Sequence, residues 1–155
     1  MAAKEEQTTT KTPNKKSSNR RLILITGEGS LQLTIQALSL LNRFGIPPVI
    51  FVLNNRGYTI ERFFRGWKAG YNDVDQWNYP ALSKAFAPDV SSPGVRGFRV
   101  QTGEELDALL SDAEFNAATY PQIVEMIMGV DDAPSWMKAV FALKEEKKKE
   151  EAEAR

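Results

Sequence analysis

The fold is decided by the stretch LILITGEGSLQLTIQALSLLNRFGIPPVIFVLNN, which occupies residues 22–55. Its first apolar run, 22–26, is short and is closed by a glycine, as a buried strand often is. The run 48–54 is β-branched and continuously apolar, which predicts a central strand of a parallel sheet. A helical segment separates the two runs, so the stretch predicts a βαβ unit with a right-handed crossover.

The segment between these strands, 30–44, is apolar on nearly every side. This pattern predicts a buried helix. We expect Ser30 near its N-cap and Gly45 at its C-terminal stop, because these residue types favour those positions.

The alternation continues more weakly along the chain. The patterns predict a helix over 78–86, a strand over 97–102, a helix over 103–118 and a strand over 121–128. Alternating strands and helices predict an α/β fold, a three-layer sandwich whose mostly parallel sheet is covered on both faces.

Both ends of the chain differ from this pattern. Residues 1–21 contain six basic and two acidic residues, a net charge of +4, and no large apolar residue after Ala3. We therefore predict a disordered tail; a mitochondrial presequence is disfavoured by the two glutamates and by the lack of an apolar face. We assign the domain itself to 22–134 and a charged helix to 135–155. The helix has an apolar stripe for docking, formed by Trp136, Met137, Val140, Phe141 and Leu143; a fully solvated helix is the alternative.

Composition excludes several kinds of chemistry. The 155 residues suffice for one domain and contain neither cysteine nor histidine. Disulfides, thiolate or imidazole metal sites and histidine-based catalysis are thereby excluded, and any metal site must use oxygen ligands. Twenty basic residues balance twenty acidic ones, so we expect neither nucleic acid nor a membrane as a partner. No apolar run is long enough to span a bilayer, and we expect a cytoplasmic protein.

The sequence Gly27-Glu28-Gly29-Ser30 lies where the first strand turns into the helix. Glycines at such a turn let the backbone approach a ligand closely. The start of the helix offers N–H groups to a phosphate. The alternative is a tight turn that needs glycine for its own conformation.

A second polar loop, Asn54-Asn55-Arg56-Gly57-Tyr58, follows the next strand. In an open parallel sheet, ligands bind at the carboxyl ends of the strands, and both loops lie on that edge. A carboxylate from the first and an amide oxygen from the second suit Mg²⁺, with diphosphate oxygens, a backbone carbonyl and water completing its shell. The alternative for the asparagines is Asx-type turn chemistry.

The spacing from G-E-G to N-N, with 24 residues between them, resembles the G-D-G…N-N motif of thiamine-diphosphate enzymes. The longer run GEGSLQLTIQALSLLNRFGIPPVIFVLNNRGYTIE resembles the C-terminal, diphosphate-binding domain of the pyruvate decarboxylase family in its fungal form. Weaker matches extend the resemblance over residues 22–134. It implies thiamine diphosphate and Mg²⁺ as cofactors and a 2-oxo acid as substrate.

The resemblance also implies roles for individual residues. The metal ligands would be the Glu28 carboxylate, the Asn55 side-chain oxygen and the Gly57 carbonyl. Gly27, Gly29, Ser30 and Tyr58 would border the diphosphate, Ile60 would line the substrate pocket, and Glu61 would act in decarboxylation and protonation. The residues alone leave other interpretations open: Ile60 is equally typical of a core, and Glu61 of a helix start, where a carboxylate is favoured by the dipole.

Three positions depart from the family's pattern. Glu28 stands where the family usually has aspartate, so the carboxylate is kept on a longer side chain. Arg56 replaces a residue that is commonly acidic, and Arg65 stands where relatives tend to have histidine. The family's N-terminal pyrimidine-binding domain, with its activating glutamate and histidine pair, has no counterpart in these 155 residues. The first strands of the diphosphate-binding domain also have none, so we expect an incomplete sheet with one exposed edge and some exposed apolar faces.

The resemblance therefore predicts a cofactor-binding domain of a pyruvate decarboxylase, in which the complete enzyme converts pyruvate to acetaldehyde and CO₂. Indolepyruvate and phenylpyruvate remain open as substrates. We expect the chain alone to be inactive, since catalysis needs aligned groups from both domains, and we expect it to assemble with itself or with full-length decarboxylase subunits. The alternative is a catalytically inactive module that docks onto such subunits.

Overall fold

A computed structural model describes residues 21–86, 96–117 and 120–153. The predicted tail therefore lies outside the described residues, except for its last arginine. The described chain forms one four-stranded sheet from β1 (Ile23–Gly27), β2 (Val49–Asn54), β3 (Arg96–Val100) and β4 (Gln122–Ile127). All neighbouring strands pair in parallel, in the order β1-β2-β4-β3. The predicted α/β fold with a parallel sheet is confirmed.

Helices connect the strands on both faces of the sheet. They are α1 (Glu28–Thr34), α2 (Leu38–Arg43), α3 (Thr59–Arg65), α4 (Tyr79–Ala85), α5 (Gly103–Ser111), α6 (Ala113–Ala117) and α7 (Ser135–Glu153). Two short 3₁₀ turns cover Ile35–Ala37 and Gly70–Asn72. The helix start that was the alternative interpretation of Glu61 is confirmed by α3, whose extent the sequence patterns did not predict.

The helix predicted over 30–44 is wrong in three respects. It begins at Glu28, so Gly27 and not Ser30 is its N-cap, and the turn Ile35–Ala37 divides it into α1 and α2. It is also not buried all round: Leu33 is 73% exposed, because no residue of the described ranges covers that side of the helix. Gly45 does follow the helix, at a φ of +64°.

The helix predicted over 103–118 is likewise divided, at Asp112. The carboxylate of this residue accepts hydrogen bonds from the N–H groups of Glu114 and Phe115, at 2.7 and 3.2 Å. Because a side chain that caps the next N–H groups starts a new helix, α5 ends there and α6 begins.

The core has two parts, one on each face of the sheet. Successive side chains of a strand alternate between faces, and β2 accordingly sends Ile50 and Val52 to one face and Val49 to the other. The first face packs against α1, α2 and α4, and its buried residues are Leu31, Ile35, Leu38, Ile50, Val52, Tyr79 and Ile123. The second packs against α5 and α6 through Val49, Val100, Leu109, Phe115 and Val124.

The edge strand β1 is much less covered than the rest of the sheet. Ile23 and Ile25, which share a face with Val49, are 59% and 65% exposed, and Leu24 on the other face is 42% exposed. Within the described chain β1 has one strand neighbour, β2. Its outer edge thus offers unpaired backbone groups next to apolar side chains.

The C-terminal helix α7 docks mainly through Phe141 of its predicted stripe. Phe141 is buried, and its ring stacks on Phe63 at 4.8 Å and meets Phe64 edge-on at 4.7 Å. Trp136, Val140 and Leu143 are exposed. Met137 is half-buried. The stripe prediction therefore holds at Phe141 and is wrong for the three exposed residues, since the ring contacts between α7 and the seven-residue α3 centre on Phe141.

No helix within the described ranges combines the length and the apolar character that crossing a bilayer needs. The longest, α7, has 19 residues but is rich in lysine and glutamate. The location in the cytoplasm and the domain boundaries stay predictions.

Candidate functional site

The two loops singled out in the sequence meet at the carboxyl ends of β1 and β2. The strands pair so that Gly27 lies beside Leu53, and each is followed by a loop at the same edge. The Glu28 side chain, 2% exposed, accepts a hydrogen bond from the Gly57 N–H through Oε1 at 2.5 Å. Glu28, one predicted metal ligand, thus directly holds the backbone of Gly57, another predicted ligand.

The loop after β2 has a fixed conformation. Asn54 Oδ1 accepts a hydrogen bond from the Arg56 N–H at 3.1 Å, which is the Asx-type turn proposed as the alternative for this residue. Arg56 and Gly57 both have positive φ, +63° and +137°. A side chain on Gly57 would also overlap the Asn72 carbonyl oxygen. Glycine is therefore required at position 57.

Asn55 differs sharply from Asn54. Its Oδ1 is buried, and no group in the part of the chain that the structure describes donates a hydrogen bond to it. A buried acceptor without a partner is costly, and such atoms call for an explanation such as an absent ion or water. This oxygen is the one that the resemblance assigns to Mg²⁺.

The ring of Tyr58 lies against the backbone of Gly29. A Cβ built on Gly29 would fall 2.6 Å from the Tyr58 ring, so only glycine permits this packing. Ser30 is exposed, and nothing lies within 4 Å of a Cβ built on Gly27. The N-terminal turn of α1 is therefore open beside Gly27 and Ser30, and closed by an aromatic ring at Gly29.

Ile60 and Glu61 lie in the first turn of α3. Ile60 is 44% exposed, so its alternative interpretation as a core residue is wrong. Glu61 is partly buried and stands where a carboxylate is favoured by the helix dipole. The helix is anchored by Arg62, whose guanidinium donates to the Arg56 carbonyl at 3.0 Å and pairs with Asp73 at 2.8 Å.

A buried polar network lies behind the site and was not predicted from the sequence. Glu125 on β4 is 2% exposed; its Oε1 accepts from Asn54 Nδ2 and its Oε2 from Arg99 Nε, both at 2.7 Å. The glutamate inside the apolar run 121–128 could have indicated this network, because a charged side chain buried in a strand needs hydrogen-bond or ion-pair partners. The network fixes the end of β2 from which Asn55 projects.

Tyr79 links α4 to α1 beneath the first loop. Its hydroxyl accepts a hydrogen bond from Gln32 Nε2 at 2.8 Å, and its side chain is fully buried. Burial raises the pKa of the Tyr79 phenol above its ordinary value, and the Gln32 hydrogen bond opposes part of this rise. The phenol is thus neutral throughout the physiological range.

Among the described residues, no three carboxylates, histidines or cysteines cluster as a metal site. The predicted ligand set contains one carboxylate, one amide oxygen and one carbonyl, so it would not form such a cluster. The donor set is hard oxygen throughout, which suits Mg²⁺ and not a softer transition metal.

Comparison with known proteins points to one family. The profile of the family described as "Thiamine pyrophosphate enzyme, C-terminal TPP binding domain" matches residues 7–126. The chain is 44% identical over 124 residues to a pyruvate decarboxylase of Aspergillus fumigatus, covering 80% of the chain and 21% of that protein. It is 45% identical over 116 residues to a pyruvate decarboxylase of Candida glabrata, covering 75% and 20%, and 41% identical over 116 residues to pyruvate decarboxylase isozyme 3 of Saccharomyces cerevisiae, again covering 75% and 20%. The chain thus spans about a fifth of the length of these relatives.

Proposed function

The chain belongs to the family of thiamine pyrophosphate enzymes, as a C-terminal TPP binding domain, and from this premise we propose that it binds thiamine diphosphate through Mg²⁺ at the carboxyl ends of β1 and β2. The observation that carries the proposal is the orphaned, buried Oδ1 of Asn55. It lies next to a loop whose backbone is fixed by the buried Glu28 carboxylate.

The residues present fit the metal. Glu28 uses Oε1 for the Gly57 N–H, which leaves Oε2 for a cation. The Asn55 oxygen has no hydrogen bond to lose on binding one, and the Gly57 carbonyl accepts from the Thr59 N–H at 3.1 Å and retains a second lone pair. In this proposal these three groups hold Mg²⁺, and the longer arm of glutamate is accommodated by its bond to the loop.

Gly27, Gly29 and Ser30 would receive the diphosphate. The open space beside Gly27 admits the phosphate oxygens, and the Ser30 N–H and hydroxyl supply donors. The Tyr58 ring borders the same turn at Gly29. We expect this ring to rotate or to pack against the cofactor when it binds.

We extend the proposal to the complete enzyme as a non-oxidative pyruvate decarboxylase. The bound cofactor would supply the electron sink for loss of CO₂. Ile60, which is exposed beside the loop, would line the substrate pocket, and Glu61 would hold and transfer a proton. The pyrimidine end of the cofactor would require groups from another domain or subunit, because catalysis needs both sides aligned.

A second function is favoured by the open strand β1. Its apolar faces and unpaired edge suit a module that docks onto other decarboxylase subunits without catalysis. The substitution Ile25→Lys separates the two functions. It places a charge on the exposed face of β1 and should abolish docking, while thiamine diphosphate binding at the loops should stay intact.

Calorimetric titration with thiamine diphosphate tests the main proposal. We expect binding in the presence of Mg²⁺ and none after chelation. Glu28→Asp should keep or tighten the affinity, and Asn55→Ala should weaken it about tenfold, the loss of one ligand to a charged group.

Asn78→Ala is the matched control, since Asn78 is exposed and its side chain caps nothing. Equal affinity of the wild type and the Glu28 and Asn55 variants, all folded by circular dichroism, would contradict the proposed metal site.

A further inference from the structure

A separate pocket lies at the carboxyl ends of β2, β3 and β4. It has a volume of about 430 Å³, and its lining includes Arg56, Trp77, Arg99 and Glu125. This size suits a small ligand. None of the four is among the residues assigned above to thiamine diphosphate, magnesium or the 2-oxo acid.

The pocket occupies the position in the sheet where connections change face. Helix α4, which follows β2, packs on the face of Ile50, whereas α5 and α6, which follow β3, pack on the face of Val49. In open parallel α/β sheets, ligands bind in the crevice at such a switch point. The topology therefore favours ligand binding here independently of the loop after β1.

The charges of the pocket favour an anion. Each oxygen of its single carboxylate, Glu125, accepts a hydrogen bond, one from Asn54 and the other from Arg99 Nε. Arg99 is half exposed, and its terminal nitrogens have no hydrogen-bond partner among the described residues; the same holds for the Arg56 guanidinium. Two guanidinium groups against one paired carboxylate give a net positive pocket, and guanidinium matches the geometry of carboxylates and phosphates.

The backbone holds Arg56 in place. Its N–H donates to Asn54, its carbonyl accepts from Arg62, and its φ is +63°. A non-glycine residue with this conformation is uncommon. Trp77 forms another part of the lining, partly exposed and stacked on Tyr79 with 6.3 Å between ring centroids. A fixed indole offers a flat body a surface to stack on.

From these observations we propose that the pocket binds a small ligand that carries an oxyanion, phosphate or carboxylate, on a flat unsaturated body. The oxyanion contacts Arg56 and Arg99, and the flat body stacks on Trp77. The site is distinct from the cofactor site and needs no metal.

Titration of the full chain in metal-free buffer tests this proposal. The probes are phenyl phosphate, benzoate and inorganic phosphate; the first two distinguish phosphate from carboxylate preference, and the third lacks the flat body. We expect phenyl phosphate or benzoate to bind more tightly than inorganic phosphate. Arg56→Asn should weaken binding about tenfold, since asparagine tolerates positive φ and removes only the charge. Trp77→Leu is the second variant and should remove the preference for the flat probes.

Two controls make the result decisive. Arg43→Gln removes an exposed arginine outside the pocket and should change nothing. Asn55→Ala should also leave probe binding unchanged. Equal binding by the Arg56→Asn and Arg43→Gln variants, or no binding by the wild type, would overturn the proposal. Loss of binding in Asn55→Ala, with Arg56→Asn unaffected, would overturn it too, because the anion would then sit at the proposed cofactor site.

Discussion

The two edge strands of the sheet, β1 and β3, differ in what covers them. On β3, a side chain at Gly97 would overlap the Pro80 backbone of α4, and Phe98 meets Phe115 of α6 edge-on at 5.4 Å. On β1, Ile23 and Ile25 are mostly exposed. The strand that leads into Glu28 is thus the least covered of the four, and the site beyond it is held by the Glu28–Gly57 hydrogen bond and by the packing of Leu31 of α1 in the core.

The largest effect should come from filling the close contact on the covered edge. We expect Gly97→Ala to lower the free energy of unfolding by about 3 kcal/mol, since a methyl group has no room against a backbone that cannot rotate away. Urea denaturation measures this. Gly70→Ala, where nothing lies within 4 Å of the added Cβ, is the control. A Gly97→Ala chain as stable as the wild type would mean that α4 does not rest on β3 as described.

A smaller loss is expected at the carboxyl end of the open edge. Gly29→Ala should cost about 1–2 kcal/mol, because the added methyl must displace the Tyr58 ring, which is partly exposed and can move. In a Tyr58→Ala background, where the ring is absent, adding Gly29→Ala should cost much less stability than it costs in the wild type. Additive losses in this cycle, measured by urea denaturation, would show that the two residues are not in contact.

The buried phenol of Tyr79 should make the free energy of unfolding depend on pH in the alkaline range. Because burial raises the pKa of this phenol in the folded state, the unfolded chain loses the proton first as pH rises above about 10. The stability linked to Tyr79 is complete below that pH and is lost as pH rises towards the folded-state pKa.

At pH 7, Tyr79→Phe should lower the free energy of unfolding by about 1 kcal/mol, because the Gln32 hydrogen bond is lost. Above pH 10, the free energy of unfolding of this variant should decline less steeply with pH than that of the wild type, because the variant lacks the phenol. Tyr71→Phe, at an exposed residue, is the control for tyrosines in general. Parallel wild-type and Tyr79→Phe curves would contradict the described burial.

The smallest effect is expected on the open strand itself. Ile25→Lys should change the free energy of unfolding by no more than about 0.5 kcal/mol, since the side chain is 65% exposed. The equivalent change at its β2 neighbour, Phe51→Lys, should cost several times more, because Phe51 packs on the second core. Comparable losses from the two, in the same denaturation assay, would mean that β1 is covered in solution.

The alternation of apolar runs was enough to predict the parallel sheet, and the two polar loops were correctly predicted to meet at one edge of it. The patterns failed where tertiary context decides. Leu33 was predicted to lie in a buried helix but is exposed, since the periodicity of a sequence does not show whether a covering layer exists. The exposed Ile25 on β1 agrees with the expected open edge of the sheet. Asp112 divides a continuous helical pattern because its side chain caps the next helix.

The site shows the same limit. Adjacent asparagines look equivalent in the sequence, but one oxygen closes a turn while the other is buried and unpartnered among the described residues. Likewise, the contact between Tyr58 and Gly29 joins two loops about 30 residues apart and leaves no trace in either pattern. The Arg62 contacts that hold α3 also depend on a loop, around Asn72, that no periodicity describes.

In the proposed site, the Glu28 and Asn55 side chains and the Gly57 carbonyl hold the metal of the cofactor. The most direct test replaces Mg²⁺ by Mn²⁺, which takes the same oxygen ligands, and records paramagnetic broadening of amide resonances in the presence of thiamine diphosphate. We expect broadening concentrated at Glu28, at the Asn55 side-chain amide and at Gly57, and in Asn55→Ala we expect the broadening at Glu28 and Gly57 to need about tenfold more cofactor, as its weaker binding requires. Broadening centred on the glutamates of α7, or spread evenly over the acidic surface, would contradict the proposed site.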